Sequence, residues 1–172
     1  VATLLEVAKS IAARPTRRNV IVAAVTGEEE GLLGSQYLAA HTNLPRAAII
    51  SNLNLDMFLP LNPFQTITAY GMEQSSIRAQ LEAVTKRLGV RFEDDPQPKR
   101  LLFVRSDQYS FVRAGIPSVA LDIAARKGSA EDKLQKKWLA ERYHAPSDDL
   151  NQPMDLEAAA RFTEIATAVA RE

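Results

Sequence analysis

The sequence predicts an α/β sandwich with a largely parallel sheet. Short apolar runs typical of buried strands alternate along the chain with longer segments whose apolar residues recur at helical spacing. The composition agrees, with 46% hydrophobic and 24% charged residues, as in ordinary globular proteins. A length of 172 residues suits one hydrophobic core. We therefore expect residues 1–172 to form a single domain.

In the first half of the chain, apolar patterning sets the predicted boundaries. Apolar side chains recur at helical spacing over residues 1–13, and Pro15 ends that helix. Residues 19–25 form a continuous apolar run, which is typical of a buried and parallel strand. Residues 31–40 then predict a helix, and residues 47–57 predict a second strand that ends in polar residues.

The second half continues the alternation. Residues 66–70, between Pro63 and Gly71, predict a short strand, and residues 75–88 predict an amphipathic helix. The later elements follow from the same patterns: a loop at 93–100, a short helix at 108–114, a strand at 118–123, a charged segment at 126–142 that is helical in its latter half, and an Ala-rich helix at 156–170.

Charge and cysteine content narrow the range of functions. Lys+Arg and Asp+Glu both number 21, so nothing suggests a nucleic-acid or acidic-membrane partner. The absence of cysteine excludes disulfides, thiolate zinc sites and a cysteine nucleophile. No apolar run approaches the length of a membrane span. The chain opens without an initiator Met or a signal peptide, which predicts that it belongs to something longer.

Acidic residues and a histidine follow the predicted strands. Glu28, Glu29 and Glu30 come after the first strand, Asp56 ends the second, and His144 lies in a late loop. Strand ends of an α/β sheet meet at one edge, where carboxylates and an imidazole suit zinc and a further carboxylate suits a general base. Plainer interpretations stay open: the triplet complements a helix dipole, Asp56 caps the next segment, and His144 is an ordinary surface residue.

The loop around His144 favours the metal interpretation. Tyr143 precedes it, Pro146 stiffens it, and Asp148 is an acid placed to orient the imidazole. The other histidine, His41, ends a predicted helix and is expected to be a surface residue or a partner of the helix dipole.

Four motifs resemble those of one enzyme family. Residues 26–35 read T-G-E-E-E-G-L-L-G-S, which resembles the G-E-E-x-G-L-x-G-S motif of the co-catalytic di-zinc aminopeptidases. That family includes bacterial leucyl-type aminopeptidases, plasma glutamate carboxypeptidase and glutaminyl cyclases. N-L-D-M at 54–57, S-D-Q-Y-S-F at 106–111 with G-I-P at 115–117, and Y-H-A-P-S-D-D at 143–149 are similar to its other motifs, in family order.

The resemblance implies a three-layer αβα sandwich with a mostly parallel, mixed sheet, and it implies residue roles. Glu28 would be the general base that takes a proton from a metal-bridging water. Glu29 and His144 would bind one zinc ion, and Asp56 would bind the other. Asp107 and Tyr143, with Asp148, would line the pocket or support the ligands. Two positions differ: Glu30 would be a solvated acid, and Gln108 stands where the family often has His.

Two of the family's metal ligands are not in this sequence. An upstream His and an Asp that bridges the two zinc ions would precede the helix at 1–13, so the chain resembles the C-terminal portion of the catalytic domain. With too few ligands, we expect weak or absent metal binding and no appreciable peptidase activity from these residues alone. Missing early strands would leave a sheet edge uncovered, which predicts a strand-paired or swapped oligomer.

The leading hypothesis is therefore a zinc-dependent exopeptidase of the aminopeptidase type, which acts on the N-termini of peptides and has two zinc ions in the intact enzyme. Two alternatives stay open: a catalytically dead relative that serves as a binding or ectodomain module, and a single-zinc acyltransferase of the glutaminyl cyclase type. The resemblance also implies a periplasmic or extracellular location.

Overall fold

The computed structural model describes residues 1–172, apart from the side chain of Gln74. Within that part the helices are α1 (Ala2–Ala13), α2 (Leu33–Ala40), α3 (Arg78–Arg87), α4 (Gln108–Arg113), α5 (Ala130–Glu141) and α6 (Leu156–Arg171). The strands are β1 (Asn52–Leu55), β2 (Thr66–Tyr70), β3 (Arg91–Glu93) and β4 (Ser118–Ile123). No helix among these is long and apolar enough to span a bilayer.

The strands form one mixed sheet in the order β1-β4-β2-β3. The pairs β1–β4 and β2–β3 are parallel, whereas β2 and β4 are antiparallel. In the β1–β4 register Leu55 lies opposite Leu121, so Asp56 and Asp122 follow side by side at the carboxyl edge. This edge is where open α/β sheets bind ligands.

Helices cover both faces of the sheet. Side chains alternate along β4, so Val119, Leu121 and Ile123 point into a core shared with α1, α3 and α6. Phe162 of α6 is fully buried there and stacks on Phe58 with ring centroids 4.1 Å apart. Helix α4 packs against β1 and β4 and also contacts α2. The predicted α/β sandwich with a mixed, mostly parallel sheet is confirmed.

Two predicted strands differ from the structure. Residues 19–25 are not a strand, because no described strand forms a ladder with them, and Val20, Ile21 and Val22 are 37%, 63% and 40% exposed. The strand predicted at 47–57 is limited to β1, because its partner β4 begins only at Ser118, opposite Asn52. The residues before it form a 3₁₀ turn, Arg46–Ala48.

Strand β3 is missing from the prediction. It contains a single apolar residue, Phe92, between two charged residues, so its sequence has no strand pattern. Its pairing with β2 determines its conformation, since Thr66 and Ile67 lie opposite Arg91 and Phe92.

Candidate metal and catalytic site

A tight turn holds the glutamate triplet at the start of α2. Gly27 has a φ of 66°, and its carbonyl accepts a hydrogen bond from the Leu33 N–H at 3.0 Å. The Gly34 N–H donates to the carbonyl of Thr26 at 2.8 Å. A Cβ at Gly34 would lie 2.5 Å from that oxygen, so only glycine permits this approach. The first motif is therefore a structural unit that holds its carboxylates in the turn directly before α2.

The structure brings Glu29 and His144 together. His144 Nε2 lies 2.8 Å from Glu29 Oε1, although the two residues come from the first and the last motifs. Both side chains are more than half exposed, so this contact lies at the surface. His144 has a φ of 56°, a left-handed conformation that non-glycine residues rarely adopt and that is enriched at functional sites.

Aromatic side chains position the imidazole. The Tyr143 ring stacks on that of His144 with centroids 3.9 Å apart, and Trp138 of α5 lies 6.2 Å from the Tyr143 centroid. The indole N–H of Trp138 donates to Gln152 Oε1 at 2.6 Å. Among the described hydrogen bonds and ion pairs, none joins Asp148 to the imidazole, and Asp148 Oδ1 accepts from Gln152 Nε2 at 2.5 Å. Asp148 thus acts on the loop that carries His144.

Asp56 is held by the third motif. Its Oδ2 accepts a hydrogen bond from the Ser106 hydroxyl at 2.6 Å. Asn54 Nδ2 donates to Ser106 Oγ at 3.1 Å and to Gln108 Oε1 at 2.8 Å. Gln108 is 1% exposed, and its own amide donates to the Phe103 carbonyl at 2.6 Å. The glutamine that departs from the family pattern therefore fixes Asn54 and, through Ser106, Asp56.

The first and third motifs meet beside Asp107. Ser35 of α2 is fully buried, and its hydroxyl lies 2.8 Å from that of Ser110. Burial raises the pKa of Asp107, the Ser35 hydroxyl opposes that rise, and Asp56 adds to it. Asp107 Oδ1 is buried without a hydrogen-bond partner among the described residues. Such an oxygen is costly to leave unpaired, which favours a functional role for Asp107.

Glu28 lies among several other carboxylates. Partial burial raises its pKa, and Asp56, Glu29 and Asp107 raise it further, whereas Arg105 lowers it. Repulsion among neighbouring carboxylates favours a bound cation or a proton held by one of them. The positions predicted from the separate motifs therefore share one region of negative charge.

The donor chemistry of this region suits zinc, but the number of donors falls short. An imidazole and a carboxylate face each other, and zinc sites normally have three or four protein ligands. Within the described residues, no group of three His, Asp or Glu side chains converges closely enough to hold a metal ion.

Two residues assigned to the surface lie there. Glu30 is exposed. His41 stacks on Tyr37 with centroids 4.2 Å apart, and its Nδ1 lies 3.0 Å from the Tyr37 carbonyl near the end of α2.

Sequence reasoning missed a polar pair inside the sheet. The Tyr70 hydroxyl donates to Asp122 Oδ2 at 3.0 Å, and the N–H of Ile123 donates to Asp122 Oδ1 at 2.7 Å. Burial raises the pKa of Asp122 to about 7. The sequence feature that could have indicated this pair is the single aspartate within the apolar run of β4, because a buried carboxyl needs a hydrogen-bond partner.

The family model described as Peptidase family M28 matches residues 1–170. The chain belongs to peptidase family M28. Among solved structures, this M28 chain is similar to an aminopeptidase from Aneurinibacillus sp. strain AM-1, at 23% identity and a TM-score of 0.70, covering 98% of this chain and 36% of that one. It is also similar to a zinc aminopeptidase from Bacillus subtilis, at 22% identity and a TM-score of 0.72, covering 97% and 39%.

A third similar structure is the glutaminyl cyclase of Porphyromonas gingivalis, at 13% identity and a TM-score of 0.58, covering 97% of this M28 chain and 58% of that one. The chain thus spans well under half the length of the two aminopeptidases. These structures establish the shared fold. No curated protein matches the chain significantly.

Proposed function

We propose that the intact protein is a zinc-dependent exopeptidase of the aminopeptidase type. Membership of peptidase family M28 supports peptidase chemistry at the family level. The single observation that carries the proposal for these residues is the 2.8 Å approach of His144 to Glu29 beside the carboxylates that surround Glu28. Peptides with a free N-terminus are the proposed substrates.

Three side chains are the proposed metal ligands. Glu29 and His144 would hold one zinc ion, and Asp56 would contribute to a second. Zinc in such a site supplies Lewis acidity, which polarises a substrate carbonyl and lowers the pKa of bound water. The Ser106 hydroxyl at 2.6 Å orients the Asp56 carboxylate, and stacking of Tyr143 orients the imidazole.

Glu28 is the proposed general base. A general base is most effective when its pKa lies close to the working pH, and both burial and neighbouring carboxylates raise that of Glu28. A raised pKa lets the carboxylate accept a proton and later return it to the leaving amine. Asp107, whose Oδ1 has no described partner, is proposed to bind or position substrate in the same region.

The 172 residues alone supply too few ligands for a complete site. We propose that this chain binds zinc weakly and hydrolyses peptides negligibly by itself, as one portion of a larger catalytic domain. We also propose that the apolar segment around Ile21, together with β1, associates with another strand and favours oligomers. An extracellular or periplasmic location accords with the family resemblance and stays a proposal.

The test uses the intact protein and two neighbouring glutamates. Glu28→Gln should lower kcat for an aminoacyl-p-nitroanilide by about 10²- to 10⁴-fold, the range of general-base contributions. Glu30→Gln, a matched change at an exposed position two residues further along the chain, should leave kcat unchanged. A zinc chelator should abolish hydrolysis in both. Equal kcat values for the two variants would overturn the role of Glu28. Cyclisation of N-terminal glutamine without hydrolysis would instead identify an acyltransferase.

A further inference from the structure

A cationic cavity lies between the loop that contains Pro98–Arg100 and the first half of α5. Its volume is about 410 Å³. Among the described lining residues, Asp132 has the one carboxylate. Four lining side chains are cations: Lys99, Arg100, Lys127 and Lys136. The whole chain has no net charge, so the cavity concentrates positive charge well beyond the average of the surface.

The carboxylate of Asp132 is already engaged. It is 5% exposed, and its Oδ2 accepts hydrogen bonds from Lys136 Nζ at 2.7 Å and from the Gly128 N–H at 2.8 Å. These contacts lower its pKa, so it stays ionised at neutral pH and offsets Lys136. None of the ion pairs among the described residues involves Lys99, Arg100 or Lys127. Arg100 Nη1 donates to the neutral Gln97 Oε1 at 3.4 Å, so the charges of Lys99, Arg100 and Lys127 have no carboxylate in contact among the described residues and are available to an external anion.

The cavity wall is built from stiff segments. Two prolines, Pro96 and Pro98, flank Gln97, whose N–H donates to Asp95 Oδ1 at 2.7 Å. The Arg100 N–H donates to the Gln97 carbonyl at 2.9 Å. On the opposite side, the Ser129 hydroxyl caps α5 by accepting from the Asp132 N–H at 3.2 Å. A preorganised wall reduces the entropy lost when a ligand binds.

Size and charge together define the ligand. A volume of about 410 Å³ lies at the lower end of the range for small-molecule sites, which is too small for an extended peptide of several residues. Arginine pairs with two phosphate oxygens at once, and lysine ammonium groups bind phosphate as point charges. We propose that this cavity is a binding site for a small polyphosphate anion, held by Lys99, Arg100 and Lys127.

The test is calorimetric titration of the 172-residue chain with inorganic tripolyphosphate at low ionic strength. The expected result is one-to-one binding that weakens as salt is added, because screening shortens the reach of each charge. Lys127→Gln and Arg100→Gln should each weaken binding by up to about fivefold, the equivalent of one exposed charge pair. Lys133→Gln is the matched control, since it removes the same charge from an exposed position on α5 that does not line the cavity.

Three results would overturn the proposal. The first is no measurable heat or binding with tripolyphosphate. The second is an equal loss of affinity in Lys133→Gln and Lys127→Gln, which would indicate unspecific attraction. The third is tighter, Lys127-dependent binding of a tetraglutamate peptide than of tripolyphosphate, which would make the occupant an acidic peptide. These changes are on the surface, and circular dichroism of each variant checks that the fold is retained.

Discussion

Replacement of Asp122 by Asn should stabilise the protein at mildly alkaline pH. The Asp122 carboxyl lies in β4 and accepts hydrogen bonds from Tyr70 and from the N–H of Ile123. Burial raises its pKa from 3.8 to about 7, although both hydrogen bonds oppose the rise. A carboxyl whose folded pKa exceeds its unfolded pKa binds its proton more tightly in the folded state. The contribution of the Asp122 carboxyl to the free energy of unfolding is therefore greatest below about pH 4 and is lost as the pH rises through about 7.

The size of the effect follows from the two pKa values. A rise from 3.8 to about 7 corresponds to about 4 kcal/mol between the two protonation states. The side chain keeps some contact with solvent, so we expect about 2 kcal/mol to be recoverable. Asparagine can still accept from the Ile123 N–H, and its amide can donate to the Tyr70 oxygen. Asp122→Asn should then be more stable than wild type by about 2 kcal/mol at about pH 8 and similar at about pH 4.

Urea denaturation of both proteins across this pH range is the assay. The exposed change Asp149→Asn is the control, and it should shift stability by less than about 0.5 kcal/mol at either pH. A destabilisation of Asp122→Asn that is equally large at both pH values would contradict this prediction. It would mean that the carboxylate is stabilised by its hydrogen bonds more than it is penalised by burial.

Two further predictions concern packing and backbone geometry. Phe162→Ala removes a fully buried ring that stacks on Phe58, so it should lower the free energy of unfolding by about 3–5 kcal/mol in a urea titration. The control is Leu150→Ala, at a residue that is 98% exposed, which should change the free energy of unfolding by less than about 0.5 kcal/mol. Gly71→Ala should destabilise more than Gly128→Ala when their thermal midpoints are compared. Both glycines have positive φ, so the backbone strain of an alanine is common to the two sites. The new Cβ at position 71 would lie 2.2 Å from a carbon of the Phe103 ring, whereas the Cβ at position 128 would meet nothing within 4 Å. Equal decreases in the thermal midpoint of the two variants would contradict this prediction.

Periodicity predicted those elements whose pattern and partners both lie within the chain. Residues 66–70 and 118–123 were predicted with the bounds of β2 and β4, and the prediction for 156–170 stops one residue short of the end of α6. Residues 19–25 have an equally strong apolar pattern but no described partner strand, so the same kind of signal did not yield a strand. A strand is defined by its ladder, and sequence pattern alone does not supply one.

The candidate site was predictable in part. Positions at strand ends brought Glu29, Asp56 and His144 into consideration, and the structure places Glu29 against His144. The part played by Gln108 could not be predicted, because its buried bonds to Asn54 and to the Phe103 carbonyl depend on how α4 packs. The cationic cavity was also missed, since its lysines and arginine are dispersed over two segments that only the fold brings together.

We propose that Glu29 and His144, whose Oε1 and Nε2 atoms lie 2.8 Å apart, form one half of a zinc site in the intact protein. The most direct test is nuclear magnetic resonance of the two histidine rings during a zinc titration of the 172-residue chain. His41 serves as the internal control, because it has no acidic partner among the described ion pairs. We expect the His144 resonances to shift at lower zinc concentration than those of His41, and we expect Glu29→Gln to remove this difference. Equal responses of both rings, unchanged by Glu29→Gln, would contradict it.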